Sequence, residues 1–177
     1  MIKLKFKNIS LIEYTVTDIN LTLLKKYQLW MKSSKINKFL KKKKSDKKSL
    51  KNFLKKMVKS KKDVFFKITF KKTHIGNLRL ILSDYKTAGF GIMIGNYKFH
   101  NKKIGKICLY IILKYCFSKL KMNKIMLNVD IKNLPALKLY QKFLMKENKK
   151  GKYMYFSMTR YFFFTKINNK LKKLINL

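Results

Sequence analysis

Between Phe99 and Lys142 the chain runs through a basic loop ending at Gly105, a long apolar helix, an alternating strand, and then Asn133-x-x-Ala136-x-x-x-Tyr140-x-Lys142. No other stretch constrains the fold so tightly, because each segment carries its own signal. A helix that starts just after a glycine-containing loop presents unpaired backbone N–H groups and the positive end of its dipole. With Lys102, Lys103 and Lys106 around it, the start of the helix expected over Ile104–Leu120 can bind a pyrophosphate. Lysines are abundant throughout the chain, so the basic loop gains its weight from the strand and helix downstream of it. Asn133 is placed to cap that downstream helix, and Pro135 is tolerated in its first turn, where the missing N–H costs little.

The rest of the chain reads as one α/β unit without repeats or linkers. Ile9–Val16 is expected as the first core strand, with Ile2–Phe6 extending ahead of it. Thr17-Asp18 is read as the cap of a helix carrying Leu21, Leu24, Tyr27 and Leu29, broken near Ser33-Ser34. The lysine run Lys41–Lys44 reads as a solvated loop, and Ser45-Asp46 caps a helix with Leu50, Phe53, Leu54, Met57 and Val58 on one stripe. A meander comes next: Val64–Phe70, His74–Leu82 and Ala88–Gly95. The strand Lys124–Asp130 puts Ile125, Leu127 and Val129 on one face, and Leu144–Asn148 with Lys152–Arg160 form a last pair turning at Lys149–Gly151. Residues 1–160 are expected to form a single domain, and residues 161–177 a basic tail with a short helix.

At 177 residues the chain can bury a core without disulfides or a metal. Cys108 and Cys116 fall inside the apolar helix and read as small core residues of a reducing compartment. The N-terminus alternates like a strand instead of forming a continuous apolar run, and Ile107–Leu113 is well short of a membrane span, so a cytoplasmic location is expected. The net charge of +38 suggests nucleic acid at first sight. Only Arg79 and Arg160 are arginines, however, so 43 of the 45 basic residues are lysine. Lys, Asn, Ile, Phe and Tyr share A/T-rich codons, whereas the scarce Ala, Pro, Gly and Arg share G/C-rich ones. Base composition thus accounts for much of the charge, and the bidentate fork used to read bases is nearly absent. No specific nucleic-acid partner is expected.

The loop Asn101-Lys102-Lys103-Ile104-Gly105-Lys106 and the motif Asn133-Leu-Pro-Ala136-Leu-Lys-Leu139-Tyr140-Gln-Lys142 together resemble the coenzyme A site of the GNAT acyltransferases, in particular the RimJ/RimL-like and amino-sugar branch. That pattern is Gly-Lys-Gly-Ile-Gly-x, a helix, a strand, then Asn-x-x-Ala-x-x-Leu-Tyr-x-Lys-x-Gly-Phe. Here Asn101 and Lys103 replace two glycines, and Leu144-Met145 replaces Gly-Phe. The resemblance implies a mixed, mostly antiparallel central sheet flanked by helices and splayed at the cofactor site. It implies acetyl-CoA as acyl donor, with its pyrophosphate on the amides of Lys102, Lys103, Ile104, Gly105 and Lys106, and Asn133 at its pantetheine or adenine side. The strand Gly89–Gly95 would pair with the pantetheine arm through Ile92, Met93 and Ile94, its glycines allowing close approach. Tyr140 would protonate the departing thiolate. A side chain at Lys103 is expected to require positive φ, at a cost of order 1 kcal/mol.

For the acceptor, Tyr27-x-x-Trp30-Met31 with Ile36-Asn37-Lys38-Phe39-Leu40 is similar to a segment of sugar-nucleotide N-acetyltransferases, which assigns Tyr27, Trp30, Phe39 and His74 to the acceptor surface. His74 reads as more structural than basic, and His100 as exposed at the loop edge. The seven carboxylates, Glu13, Asp18, Asp46, Asp63, Asp84, Asp130 and Glu147, include no evident general base, so deprotonation through water or an already neutral amine stands beside any named residue. No metal site is expected. The resemblance implies an N-acetyltransferase, monomeric or homodimeric, acting on a small amine, in the first place a nucleotide-linked amino sugar. A protein N-terminal acetyltransferase is the alternative substrate class. A basic ribosome- or nucleic-acid-binding module, or a decayed acyltransferase, is the alternative of another kind.

Overall fold

The computed structural model describes residues 1–37, 39, 46–83, 85–143 and 146–176. The expectations placed on Lys41–Lys44, Ser45 and Leu144-Met145 lie outside the described residues. The eight strands are ordered β1-β2-β3-β4-β5-β6-β8-β7 in one mixed, mostly antiparallel sheet with helices flanking it. Residues 1–80 with 92–102 form one compact unit and residues 81–91 with 103–177 a second. Strands β4 (Thr73–Ser83) and β5 (Thr87–Ile94) contribute to both.

In the first unit, β1 (Lys3–Phe6) and β2 (Ile9–Glu13) form an antiparallel hairpin, Phe6 opposite Ile9. β2 pairs antiparallel with β3 (Asp63–Phe70), Ile9 opposite Phe70. The expected strand to Val16 ends early because Thr15 and Asp18 close a short 3-10 turn at Val16–Asp18, with the Asp18 carboxylate accepting from Thr15 N at 2.9 Å and Thr15 Oγ1 at 3.0 Å. Asp18 is therefore occupied, and the cap of α1 (Leu21–Lys32) falls instead to Asn20, whose Oδ1 accepts from Leu23 N at 2.9 Å. The buried stripe of α1 is Leu23, Leu24, Tyr27, Trp30 and Met31, while Leu21 and Leu29 are 67% and 70% exposed. Ser33 ends α1 and the short α2 (Ser34–Asn37) comes after it. Asp46 caps α3 (Lys47–Val58), which buries Leu50, Leu54 and Met57 and turns Phe53 partly outward. These side chains join Tyr14, Ile36 and Phe65 in one apolar cluster.

In the second unit, β5 runs parallel to β6 (Lys124–Asp130) for three residue pairs only, from Thr87–Lys124 to Gly89–Met126. β6 continues to Asp130 against antiparallel β8 (Tyr153–Thr159), which also pairs with β7 (Lys146–Lys150) across a turn at Gly151, φ 57°. The helix expected over Ile104–Leu120 is α4 (Ile104–Lys114) continued by a π-helical turn at Tyr115–Lys119. It buries Cys108, Leu109, Ile112, Leu113, Cys116 and Phe117 completely, and both cysteines are free. After α5 (Leu134–Lys142) and β8, the chain ends in α6 (Arg160–Phe162), a π-helical turn at Phe163–Ile167 and α7 (Asn168–Asn176). Phe163, Ile167 and Leu171 have no exposed surface, and the Phe163 ring lies 5.2 Å from that of Phe117. Burial of each such side chain contributes about 1.5–3 kcal/mol, so Phe163, Ile167 and Leu171 tie this last segment to the core of the unit.

Candidate active site

The first unit holds a buried polar network. Tyr14 lies just past β2 and is tied to β3 by its own N–H, which donates to the Phe65 carbonyl at 2.8 Å. Its ring is 3% exposed, and its hydroxyl donates to Asn77 Oδ1 at 3.0 Å and lies 3.1 Å from both Tyr27 Oη and His74 Nε2. His74 Nε2 is also 2.9 Å from the Gly76 carbonyl oxygen and 3.1 Å from Asn77 Oδ1. A carbonyl oxygen can only accept, so Nε2 carries the proton and Nδ1 keeps its lone pair. Burial, with smaller contributions from Lys26 and Lys67, pushes the His74 pKa down to about 4, and the imidazole is neutral at physiological pH. Burial likewise raises the Tyr14 and Tyr27 phenols.

This placement corrects the surface reading of Tyr27 and Trp30. Both are core residues, 2% and 7% exposed, with ring centroids 5.3 Å apart. Trp30 packs edge-on to His74 at 5.0 Å and fills the space where a Cβ at Gly95 would stand, 2.1 Å from its ring. Phe39 is half-buried. Gly76 makes a comparable approach to β5: a Cβ there would come within 2.2 Å of the Met93 carbonyl oxygen. Gly91, in contrast, faces open space, so close approach is not its reason. Ile92, Met93 and Ile94 are half-buried at the end of β5. His100 is half-buried too, contrary to the exposed position expected, because its Nε2 donates to the Ile94 carbonyl at 2.8 Å.

His74 also forms part of the wall of a cavity of about 210 Å³ in this unit, together with Asp18, Asn20, Thr22, Leu23, Lys26 and Lys67. Lys67 Nζ pairs with Asp18 at 2.5 Å, whereas Lys26 has no ion-pair partner among the described residues. Burial opposes ionisation of Asp18, but the Lys67 and Thr15 hydrogen bonds outweigh it and lower its pKa. The other described carboxylates are engaged as well. Asp63 takes Arg79 Nε at 3.2 Å and Nη2 at 2.9 Å, Glu13 takes Ile2 N at 2.7 Å, and Asp46 takes Ser49 N. Asp130 takes Lys132 N and Glu147 takes Gln141 Nε2. The run His74-Ile75-Gly76-Asn77 resembles one in amino-sugar members of the family, whereas neither Tyr14 nor the cavity carried a sequence signal beyond strand patterning.

In the second unit, α4 opens on Lys103 in the left-handed region, φ 58° and ψ 4°, and no side chain caps the helix. Left-handed Lys103 followed by helical Ile104 lines up successive N–H groups as a concave donor set. The Lys103 carbonyl closes the first turn on Lys106 N and Ile107 N, leaving the amides of Ile104 and Gly105 without intrahelical partners. Asn101 is also left-handed, φ 58°. The two residues that replace glycines thus keep the backbone conformation glycine would favour. Lys102 and Lys103 are exposed and Lys106 half-buried. Backbone donors, lysines and the helix dipole together suit a pyrophosphate, so this chain's loop fits the group that acetyl-CoA would present.

Asn133 caps α5 through Oδ1, which accepts from Ala136 N at 3.4 Å, and its amide nitrogen is uncommitted among the described residues. Tyr140, 6% exposed, lies in an aromatic cage with Phe90 at 6.2 Å and Phe156 at 5.5 Å. Burial, and second the Cys108 thiol, raise its pKa, and no hydrogen bond engages its hydroxyl among the described residues. The phenol is therefore a neutral donor with an uncommitted proton. No group of three or more His, Cys, Asp or Glu able to hold a metal occurs among the described residues, and no described helix is long and apolar enough to cross a membrane.

Residues 10–146 match the acetyltransferase (GNAT) domain family. The chain is similar to acetyltransferase PseH of Campylobacter jejuni strain 81-176, with 32% identity over 112 residues, 63% of this chain and 69% of that protein. Its fold is similar to the crystal structure of C. jejuni N-acetyltransferase PseH, with TM-score 0.66 and 23% identity over 86% of this chain and 98% of that one. It is also similar to a GNAT-family acetyltransferase of Bacillus anthracis, with TM-score 0.75 and 16% identity over 90% and 99% of the two chains. Spermidine N-acetyltransferase of Vibrio cholerae, solved in complex with CoA and spermine, has TM-score 0.73 and 18% identity over 88% and 98%.

Proposed function

This chain belongs to the GNAT acetyltransferase family and takes acetyl-CoA as cosubstrate, and from that premise we propose that it acetylates the primary amine of a nucleotide-linked amino sugar by direct attack on the thioester. The observation that carries the choice of acceptor is electrostatic. The one carboxylate in the cavity wall, Asp18, is already paired with Lys67, so no uncommitted negative charge lines the cavity, while Lys26 has no ion-pair partner among the described residues. A polyamine needs free carboxylates to offset its charges; an anionic, hydroxyl-bearing acceptor needs the opposite. The resemblance of Tyr27–Phe39 to sugar-nucleotide enzymes points the same way, with Tyr27 and Trp30 acting through His74 from the core.

Acetyl-CoA supplies an activated acyl thioester. The chain's part is to hold and orient it: the amides from Lys102 to Lys106 receive the pyrophosphate, and Asn133 offers its amide nitrogen. The backbone of Ile92 and Met93 offers strand-like pairing, while the Ile94 carbonyl is occupied by His100. Tyr140 keeps its phenolic proton through neutral pH because its aromatic cage disfavours the phenolate, and gives it to the leaving thiolate. With no carboxylate assigned as general base, the acceptor amine loses its proton to water or arrives neutral.

Purified protein is incubated with acetyl-CoA and, separately, UDP-glucosamine, spermine and a peptide with a free N-terminal amine, and thiol release is followed. The expected result is a kcat/KM for the amino sugar at least tenfold above the other two. Preference for spermine or the peptide overturns the acceptor assignment. Acetyl-CoA titrations at rising ionic strength separate a specific site, which survives moderate salt, from binding driven by net charge.

A further inference from the structure

Two lysines among seven cavity-lining residues are what composition alone would supply in a chain this rich in lysine. A histidine is not: the chain has only two. His74 is moreover fixed in one tautomer, since Nε2 donates to Gly76 O at 2.9 Å with Asn77 Oδ1 and Tyr14 Oη each 3.1 Å away. Nδ1 therefore carries the lone pair, and no described residue bonds to it. His74 lines the cavity with Lys26 and Lys67, and Nδ1 is the ring nitrogen it has left to accept, so a ligand that offers a donor to it and carries negative charge nearby suits this wall. Phosphate oxygens cannot donate at neutral pH, so phosphate alone satisfies only the lysines. A polyamine could donate to Nδ1 but would meet Lys26 and Lys67. A sugar hydroxyl next to a phosphate satisfies both demands.

We propose that His74 is a specificity-determining residue, its Nδ1 accepting a hydrogen bond from a sugar hydroxyl of the nucleotide-linked acceptor while Lys26 pairs with the acceptor's phosphate. This rests on the amino-sugar reading and extends it to a named contact. The cavity of about 210 Å³ takes a sugar with an adjoining phosphate but not a whole nucleotide, so the base remains outside it. The neighbouring Lys67 is already paired with Asp18, which leaves Lys26 to meet the phosphate next to the sugar.

Two substitutions separate binding from structure at this position. His74→Gln places its amide nitrogen near the position of Nε2, keeps the donation to Gly76, and removes the acceptor at Nδ1. His74→Asn places its oxygen near Nδ1 and loses the donation to Gly76. With UDP-glucosamine as probe, calorimetry on H74Q is expected to show affinity lowered at least tenfold, with acetyl-CoA affinity within twofold of wild type. H74N is expected to melt lower than H74Q yet bind UDP-glucosamine more tightly. In ¹⁵N-histidine-labelled wild type, the Nδ1 resonance of His74 shifts on saturation with UDP-glucosamine and stays unmoved by inorganic phosphate. If UDP-glucosamine binds and H74Q binds it equally well, this assignment is overturned while the amino-sugar reading stands. If UDP-glucosamine neither binds nor is acetylated, both fall.

Discussion

Tyr14 and Tyr140 are both buried tyrosines with raised pKa values, one in each unit of the fold, and they are opposite in use. Tyr14 sits among Tyr27, His74 and Asn77, its proton committed to Asn77 Oδ1. Tyr140 sits between Phe90 and Phe156 with its hydroxyl unbonded among the described residues. Burial alone suffices to keep either phenol neutral. What separates them is the surroundings: a hydrogen-bonded network commits the hydroxyl of Tyr14, and an apolar cage leaves the proton of Tyr140 available. The same residue type thus serves as a structural strut in one unit and as a candidate acid in the other.

The largest test of that contrast is Tyr140→Phe. Nothing in the cage loses a hydrogen bond, so the melting temperature should stay within a degree or two. Loss of a general acid lowers kcat roughly 10²–10⁴-fold, which steady-state assays against acetyl-CoA would register. A variant with full turnover and lower stability would make Tyr140 a strut like Tyr14.

Tyr14→Phe should behave in the reverse way. It removes one donor from Asn77 Oδ1 and one hydrogen-bond partner from Tyr27, for a loss of about 1–3 kcal/mol in denaturant unfolding. The KM for acetyl-CoA should not move.

Distance along the chain explains why one tyrosine is legible in the sequence and the other is not. Tyr140 lies seven residues after Asn133 in a helix whose cap and proline are local signals, and α4, β6 and α5 begin where periodicity and capping place them. The partners of Tyr14 are 13 to 63 residues away, and no local pattern encodes such contacts. The first-helix stripe departs from its expected place for a related reason. Thr15 and Asp18 satisfy one another in a turn, moving the cap to Asn20 and the buried face to Leu23, Leu24, Tyr27, Trp30 and Met31. The reason for a glycine at position 76 is likewise non-local: the Met93 carbonyl oxygen lies where its Cβ would stand.

His74 supplies a pH test of the network. Its pKa is about 4 in the folded protein against an ordinary value of 6.5. Between those values the unfolded chain binds a proton that the folded one refuses, so stability is full above about pH 6.5 and falls as the pH drops toward 4. Allowing for partial solvent screening, the loss is on the order of 2 kcal/mol. Urea unfolding at pH 7.5, 6 and 5 should show this decline in wild type and its absence in His74→Gln. Parallel curves for the two proteins would mean that His74 titrates normally and is not held neutral by the network.

The smallest expected effect concerns the loop at which the two glycines of the family pattern are missing. Lys103 is one of five lysines with positive φ, with Lys7, Lys71, Lys86 and Lys121, and Asn101 is the one other non-glycine residue in that region among those described. A left-handed lysine costs about 1 kcal/mol relative to glycine, and this chain accepts that cost repeatedly, as a lysine-enriched composition would impose. Lys103 is therefore part of a general substitution habit, and the backbone it adopts is the one glycine would supply. Lys103→Gly should leave stability within about 1 kcal/mol, because relief of the left-handed strain is offset by the greater freedom of glycine in the unfolded chain. Acetyl-CoA affinity should weaken about two- to fivefold through loss of one charge, a difference that shrinks as salt rises. Calorimetry at two ionic strengths measures it. Binding that instead tightens more than tenfold in the glycine variant would mean that the lysine side chain obstructs the loop, and that this was where acyl-donor binding had begun to fail.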